Sequence, residues 1–227
     1  MDHPGQARKR VLQALENVAK QAERPVARLL AVSKTKSAEA IGAIADEGQR
    51  AFGENYVREA MDKREALADL GLEWHLIGHL QTNKARDAAS CFDWVQSVDR
   101  LRLVDALARH RRADQPPLNV LVQVNVDGEA GKSGCRPDQV QAVVDAITAS
   151  PTLRLRGLMA ITEPFPDMEQ RRASFRRLRE LFDALRAGHP DVDTLSMGMS
   201  EDFELAAEEG ATMVRVGSAL FGARPAA

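Results

Sequence analysis

The sequence predicts a single (β/α)8 barrel of the TIM-barrel type, an α/β fold, with an extra helix at its N-terminus. Eight short apolar segments each precede a segment of helical periodicity, and no break in composition divides the 227 residues. Strict alternation of strands and helices implies a parallel sheet with right-handed crossovers. Eight such units in about this length make a closed barrel. A doubly wound open sheet is the alternative, because the second and seventh strands are short. We expect residues 1–227 to form one domain.

The elements of the first half are indicated by apolar spacing and by the residues at their ends. Apolar residues recur at helical intervals from Val11 to Ala22, which predicts a helix over 5–23. Ser37 suits the N-cap of the next helix and Gly48 suits its end. The predicted strands of this half are 29–34, 50–53, 73–78 and 93–97, followed by helices at 37–48, 55–68, 83–90 and 100–112.

The second half of the chain repeats the same alternation with longer elements. The run LNVLVQVNV at 118–126 is the clearest strand, and Pro137 suits the first turn of the helix that follows. Gly188 marks the end of the longest helix. The predicted strands here are 118–126, 154–160, 193–197 and 213–217, followed by helices at 137–149, 168–187 and 201–209 and by a short helix from 218.

Composition narrows the possible partners and the compartment. The formal net charge of -2 lacks the basic excess of a nucleic-acid-binding protein, and no apolar run is long enough to span a membrane. The N-terminal segment has no apolar core of a signal peptide, so we expect a cytoplasmic protein in which Cys91 and Cys135 do not pair. The spacing of histidines and cysteines predicts no metal site.

Lys34 is the first chemically notable residue at a strand end. It closes the apolar run LLAVSK. A lysine at the mouth of a buried strand can lose solvation, which favours its neutral, nucleophilic form. In a barrel, the functional residues lie at the C-terminal ends of the strands. The simpler alternative is a strand end that reaches solvent. We expect Lys36, which lies beyond the strand, to be solvated.

Small residues follow the last two predicted strands, where barrels commonly bind phosphate. Ser200 has the type and position of a helix N-cap, and Gly217 and Ser218 open the final short helix. Backbone N–H groups and dipoles at such helix starts attract anions. Ordinary turn chemistry would explain the same residues. Together, however, they predict a phosphate site.

Arg215 is predicted to point into the barrel. In the strand MVRVG, Val214 and Val216 share one face and should pack on the helices, so Arg215 lies on the other. A buried guanidinium stays charged and needs an acceptor. An ion pair with a carboxylate such as Glu54 is one possibility. A ligand atom is the other. A lysine, a phosphate site and an arginine donor together suit pyridoxal 5′-phosphate held as a Schiff base.

Motifs along nearly the whole chain resemble those of the YggS/PROSC family of pyridoxal phosphate homeostasis proteins. The matching segments are LLAVSKTK, FGENYVREA, EWHLIGHLQTNK, GKSG, LRGLMAI, LSMGMSEDFELA and MVRVGSALFGAR. The resemblance implies a barrel like the N-terminal domain of alanine racemase, of fold type III, with the cofactor on Lys34. It implies that Arg215 faces the pyridine nitrogen and that Asn55 and Met159 line the ring pocket. It assigns the phosphate to Ser200, Gly217 and Ser218.

The resemblance also predicts a cofactor-binding protein and not an enzyme. An arginine facing the pyridine nitrogen disfavours its protonation and weakens the ring as an electron sink. In related racemases the second acid/base comes from a C-terminal domain, and this chain ends at Ala227, after the last barrel helix. Tyr56, its only tyrosine, is expected to pack. We therefore expect storage, delivery or regulation of pyridoxal phosphate, with apo-enzymes as receivers. A minimal amino acid racemase or decarboxylase, or a cofactor-free Schiff-base aldolase, is the alternative.

Three further features are not assigned to the cofactor site. His75 is expected to be a hydrogen-bonded core histidine. The arginines between 171 and 179 are expected to form a solvated helix face, with a docking surface as the alternative. Lys132, in a flexible loop after the fifth strand, could contact an anion.

Overall fold

Eight parallel strands close into a barrel in the computed structural model, which describes residues 4–222. The strands follow one another around the ring in chain order, and the eighth pairs with the first. Closure confirms the predicted barrel and excludes the open sheet. The predicted domain also includes residues 1–3 and 223–227, which lie outside the described residues.

The element boundaries agree with the predicted alternation. The strands are β1 (Arg28–Val32), β2 (Ala51–Glu54), β3 (Glu73–Leu76), β4 (Trp94–Val98), β5 (Leu118–Gln123), β6 (Leu153–Met159), β7 (Thr194–Ser196) and β8 (Met213–Val216). The α-helices are α1 (Pro4–Gln21), α2 (Ala38–Asp46), α3 (Val57–Ala66), α4 (Ala85–Cys91), α5 (Leu101–His110), α6 (Val140–Thr148), α7 (Met168–Gly188), α8 (Phe203–Glu208) and α9 (Ser218–Phe221). Single 3-10 turns lie at Ala68–Leu70, Thr82–Lys84 and Pro137–Gln139. Between residues 4 and 222, no helix has the length and apolar composition needed to cross a membrane.

Several predicted boundaries are wrong by two or three residues, and two of these lie in segments that shape the site. The fifth strand ends at Gln123 and not at 126, because Val124 forms a bridge with Cys135 and the chain turns into a loop. The helix predicted from 201 begins at Phe203. Asp202, and not Ser200, occupies its N-cap position. The segment after β7 is therefore a turn that precedes the helix.

The main core lies between the barrel and the helices. Val214 and Val216 of β8 are fully buried in the same cluster as Ile41 of α2 and Phe182 of α7, so the predicted outward orientation of the two valines is confirmed. The predicted N-terminal helix is also confirmed. Its apolar face, which includes Leu15, joins this core, and α1 packs against α2, α8 and α9.

The barrel interior is divided between two apolar clusters and a set of polar side chains. Met213 packs with side chains from β1, β2 and the end of β3, whereas Trp94 packs with side chains from β5 and β6. The fully buried polar residues of the strands include His75, Gln96 and Ser196. Buried polar groups of this kind need hydrogen-bond partners.

The arginines of α7 fasten that helix to its surroundings. Arg172 pairs with Glu208 at the end of α8 and with Glu209 directly after it, and Arg177 pairs with Asp127 in the loop after β5. Ion pairs on a helix surface are individually weak. Their arrangement nevertheless explains the arginine-rich sequence through contacts within the chain, and the docking alternative is not needed to account for it.

Gly157 in β6 is required by the close approach of β7. Its φ is +144°, and a Cβ atom there would lie 1.9 Å from the carbonyl oxygen of Thr194. That oxygen belongs to the neighbouring strand's backbone and cannot move without breaking the ladder. The position therefore accepts only glycine.

We expect Gly157→Ala to lower the free energy of unfolding by about 3 kcal/mol, because the new methyl group overlaps backbone atoms. Urea unfolding followed by circular dichroism measures the change. Gly188→Ala is the matched control, since nothing lies within 4 Å of a Cβ atom at that position. It should change stability by less than about 0.5 kcal/mol. Equal effects of the two substitutions would contradict the packing argument.

Candidate functional site

A cavity of about 680 Å³ opens at the C-terminal end of the barrel. Its lining comes from segments at or beyond the ends of strands, as expected for a (β/α)8 barrel. Six of the seven residues predicted for the site line it, namely Lys34, Asn55, Ser200, Arg215, Gly217 and Ser218. The structure thus brings together residues that are up to 184 positions apart in the chain (218 − 34).

Met159 is the exception among the predicted site residues. Its side chain is fully buried and packs with Trp94 and Leu121, and it is not part of the cavity lining. The strand ends at Met159, so this side chain still belongs to the packed interior. Ile161, two residues further along, reaches the cavity instead.

Lys34 lies just beyond β1, in a loop whose backbone is held on both sides. The strand ends at Val32, and Thr35 adopts a left-handed conformation with φ of 63°. The carboxylate of Glu59 accepts a hydrogen bond from the Thr35 N–H at 2.5 Å, and the Lys63 ammonium donates to the Ser33 carbonyl at 2.8 Å. A left-handed non-glycine residue is strained and persists only where surrounding contacts hold it.

Lys63 and Glu54 form the buried ion pair that anchors this loop. The Lys63 Nζ lies 2.7 Å from Glu54 Oε1 and also bonds Glu59, which precedes it by one turn of α3. The Ser33 hydroxyl donates to the same Glu54 oxygen at 2.5 Å. The alternative prediction, an ion pair between Glu54 and Arg215, is wrong, because Lys63 pairs with Glu54 instead. Sequence periodicity gave no sign that Lys63 is buried.

Glu54 is fully buried, and its second carboxylate oxygen accepts no hydrogen bond from the residues that the structure describes. Burial raises the pKa of the Glu54 carboxyl, although the hydrogen bonds from Lys63 and Ser33 oppose this effect. Desolvation penalises the charged form of a carboxyl group more than these two donors stabilise it.

Lys36 lines the same cavity as Lys34, which corrects the prediction that it is simply solvated. Its side chain is half-buried, and the ammonium donates to the carbonyl oxygen of Phe221 at 3.3 Å. It also lies over the ring of Phe221, 6.0 Å from the centroid. Sequence position placed Lys36 outside the strand, but α9 folds back over it. Proximity to the cavity alone therefore does not distinguish Lys34 from Lys36.

Arg215 is buried inside the barrel and reaches the floor of the cavity, as predicted. Its Nη1 donates to the Ser196 hydroxyl at 2.9 Å and its Nη2 donates to the Ala160 carbonyl at 2.7 Å. These bonds involve two of the five N–H groups that a guanidinium carries. Burial lowers the pKa of Arg215 to about 10, and the charge of Asp202 opposes that shift. The group remains charged at neutral pH.

The loops after β7 and β8 meet at the edge of the cavity. The Ser200 hydroxyl accepts a hydrogen bond from the Gly217 N–H at 3.1 Å. Gly217 is the N-cap of α9 and Ser218 is its first residue, as predicted. Ser200 does not cap a helix. Asp202 instead folds back and accepts from the Met199 N–H at 2.7 Å, which keeps this carboxylate engaged with its own turn.

Asn55 is placed by the close approach of two strand ends. A Cβ atom at Gly78, which follows β3, would lie 2.3 Å from the Asn55 carbonyl oxygen. Glycine at position 78 therefore allows the backbone after β2 to lie against the backbone after β3. The half-buried side chain of Asn55 then lines the cavity.

Several lining residues were not predicted. Gln123 and His79 line the cavity, and the His79 ring nitrogen Nδ1 lies 3.0 Å from the Ser133 hydroxyl. Lys132, for which the sequence analysis left an anion contact as an alternative, also lines the cavity and pairs with Glu129. The position of His79 directly after a strand was the available signal. Tyr56, expected to pack, is 60% exposed, so that prediction is wrong.

Known proteins share both the sequence pattern and the fold. The sequence model described as alanine racemase, N-terminal domain, matches residues 8–225. The pyridoxal phosphate homeostasis protein of Pseudomonas aeruginosa is 56% identical over 86% of this chain and 84% of its own length. The protein of the same name from Escherichia coli K12 is 49% identical over 86% of this chain and 85% of its own.

Solved structures of known proteins share the fold of this chain. PipY of Synechococcus elongatus, solved with PLP bound, is 37% identical, covers 92% of this chain and 100% of its own, and superposes with a TM-score of 0.80. Alanine racemase of Corynebacterium glutamicum is 21% identical and superposes with a TM-score of 0.67 over 95% of this chain and 62% of its own. The second similarity is one of fold.

We expect Lys63→Met to lower the free energy of unfolding by about 3 kcal/mol, because it leaves Glu54 buried without its partner. Chemical denaturation measures the loss. Lys84→Met, at an exposed lysine, is the control and should change stability by less than about 0.5 kcal/mol. A small effect at position 63 would show that the pair does not anchor the loop.

The raised pKa of Glu54 predicts how stability depends on pH. Its folded-state pKa exceeds the unfolded value of 4.5, so folding favours the protonated carboxyl. The resulting stabilisation is complete below pH 4.5 and is lost as the pH rises through the folded-state pKa. Glu54→Gln removes this contribution. The stability of the native chain relative to this variant should therefore decline as the pH rises from 4.5, measured by urea unfolding at each pH. A constant difference would contradict the assignment.

Proposed function

Because the chain belongs to the alanine racemase N-terminal domain family, and within it to the pyridoxal phosphate homeostasis proteins, we propose that it binds pyridoxal 5′-phosphate as a Schiff base on Lys34. In this proposal a single barrel domain stores, delivers or regulates the cofactor in the cytoplasm. Pyridoxal phosphate-dependent apo-enzymes are the proposed receivers.

The observation that carries the proposal is that Lys34, just beyond the end of β1, and Arg215, on β8, line one cavity. β1 and β8 are paired in register, with Leu30 beside Arg215, so the end of β1 brings Lys34 next to the strand that carries Arg215. A lysine amine can form an imine with an aldehyde, and a guanidinium can donate to a ring nitrogen. Lys34 and Arg215 together match two separate groups of the cofactor.

The third group of the cofactor, its phosphate, matches the edge formed by the loops after β7 and β8. Ser200 and Ser218 offer hydroxyl groups there, and the backbone at Gly217 approaches without a side chain. Phosphate oxygens accept hydrogen bonds from such donors. The cavity volume lies within the range usual for small-ligand pockets, about 300–1,000 Å³. The residues present therefore fit all three polar parts of pyridoxal phosphate.

Arg215 also supports binding in preference to turnover. When bound, the cofactor supplies an electron-withdrawing ring, whose strength depends on protonation of its nitrogen. A charged guanidinium, held by Ser196 and Ala160, can donate a hydrogen bond to the ring nitrogen. It has no lone pair with which to accept a hydrogen bond from a protonated ring nitrogen. It thus favours the unprotonated ring nitrogen. This arrangement suits a protein that keeps the cofactor available for transfer.

We expect the purified protein to gain a visible absorbance band with pyridoxal phosphate, and borohydride reduction followed by peptide mapping to place the label on Lys34. Lys34→Ala should lose both the band and the label. Lys36→Ala removes the other lysine that follows β1 in the cavity lining. This variant should still bind pyridoxal phosphate in a form that borohydride reduces. A label on Lys36, or a band that survives in Lys34→Ala, would overturn the assignment.

A further inference from the structure

A row of buried polar side chains crosses the barrel from the cavity towards the opposite end. Ser196, Gln96 and His75 are each fully buried, and they lie on β7, β4 and β3. The Ser196 hydroxyl donates to Gln96 Oε1 at 2.7 Å, and Gln96 Nε2 lies 2.9 Å from His75 Nδ1. His75 Nε2 bonds the carboxylate of Glu73. We call Ser196, Gln96, His75 and Glu73 the interior relay.

The hydrogen bonds of the interior relay can be ordered in one direction that satisfies every group. Arg215 only donates, so the Ser196 oxygen must accept and its proton must go to Gln96 Oε1. The Gln96 amide then donates to His75 Nδ1. This leaves the imidazole proton on Nε2, where the Glu73 carboxylate accepts it. Turning the amide of Gln96 around would give Ser196 two donors and leave its own proton without an acceptor there.

Burial keeps the imidazole of His75 neutral, although the neighbouring carboxylates oppose this effect. Burial lowers the pKa of His75, although the bond to Glu73 opposes the shift. Burial tends to raise the pKa of Glu73, but His75 and Arg28 together bring it below its usual value. The charge of Asp93 also acts to raise the pKa of His75. The imidazole is also stacked on Trp94, with 5.0 Å between centroids, which fixes its plane.

The outer end of the interior relay is tied down at the rim where the strands begin. Glu73 is the first residue of β3, and its carboxylate lies 2.9 Å from the guanidinium of Arg28, the first residue of β1. The guanidinium of Arg156 also lies over the Trp94 ring, 4.6 Å from its centroid. His75 is therefore hydrogen-bonded to a carboxylate that Arg28 holds and stacked on a ring that Arg156 contacts.

We propose that His75 is a positioning residue for Arg215, acting through Gln96 and Ser196 to keep the guanidinium aimed at the ring nitrogen of the bound cofactor. The proposal rests on the proposed function. Glu73 fixes the proton of His75 on Nε2, and this choice sets the direction of every later hydrogen bond. Ser196 then presents a lone pair, and not a proton, to Arg215. Loss of that acceptor leaves Ala160 as the remaining hydrogen-bond partner described for the guanidinium.

The tautomer of His75 can be tested without any cofactor. We expect ¹⁵N NMR of the imidazole nitrogens in the ligand-free protein to show a protonated Nε2 and an unprotonated Nδ1 at neutral pH. The spectrum of His75→Gln identifies the signals among the five histidines. Gln96→Glu should convert His75 to the doubly protonated form, because the new carboxylate cannot donate to Nδ1. A proton on Nδ1 in the native protein would overturn the proposal.

Cofactor affinity tests whether the interior relay acts on Arg215. We expect His75→Leu and Ser196→Ala to weaken pyridoxal phosphate binding about tenfold and to shift the absorbance spectrum of the bound form, as loss of a hydrogen bond to a charged group would. His75→Gln keeps an acceptor towards Gln96 and a donor towards Glu73, so it should bind within about threefold of the native protein.

Ser174→Ala is the matched control for Ser196→Ala. Both serines are fully buried and both donate to a side-chain oxygen, but Ser174 lies on α7 and bonds Asp127. It should leave affinity and spectrum unchanged. Equal binding by Ser196→Ala and Ser174→Ala, or equal binding by His75→Leu and His75→Gln, would overturn the proposal. Failure of the native protein to bind pyridoxal phosphate would instead overturn the proposed function, while the NMR result would still report on the relay.

Discussion

The buried charge of Arg215 is the constraint on which the interior of this barrel depends. A guanidinium removed from water needs acceptors, and an all-apolar interior would make its burial very costly. Ser196 and the Ala160 carbonyl supply two acceptors, and Gln96 and His75 continue the pattern across the barrel. Polar side chains therefore occupy space that branched apolar residues usually fill in such barrels. Met213 of one apolar cluster contacts Gln96, and Trp94 of the other stacks on His75.

A second buried charge, that of Lys63, organises a polar cluster outside the barrel wall. It joins Glu54 of β2 to Glu59 of α3, and the same cluster bonds the backbone on both sides of Lys34. The strained conformation of Thr35 is thereby held in place. Lys34, the proposed attachment residue, and Arg215, the proposed partner of the ring nitrogen, thus have separate polar supports. Each support would be expensive to disrupt because its members are buried.

The same arrangement explains why the site suits holding a cofactor. Groups that bind are fixed by backbone contacts and buried hydrogen bonds, which is the form that preorganised sites take. In the proposed function, Arg215 donates to an uncharged ring nitrogen of the bound cofactor.

The sequence already predicted the barrel, the direction of Arg215 and most of the residues that line the cavity. The eightfold alternation predicted the barrel, and closure of the ring in the structure excluded the open-sheet alternative. Period-two spacing in MVRVG fixed the inward direction of Arg215. Strand-end positions identified six of the seven predicted site residues as lining one cavity, although contact with a cofactor stays a prediction. The turn after β7 and the burial of Met159 were not foreseeable, because they depend on local backbone geometry and on the depth of a strand end.

Only the tertiary structure decided which buried polar groups meet. Lys63, Glu54, His75 and Gln96 are each ordinary residues in the sequence, and nothing in their spacing marks them as partners. Burial and pairing arise when strands from different parts of the chain come to share one interior, as Gln96 and Ser196 do across 100 positions. Periodicity reports which face of an element is apolar. It carries no information about hydrogen bonds between elements, and those bonds position the groups around the cavity.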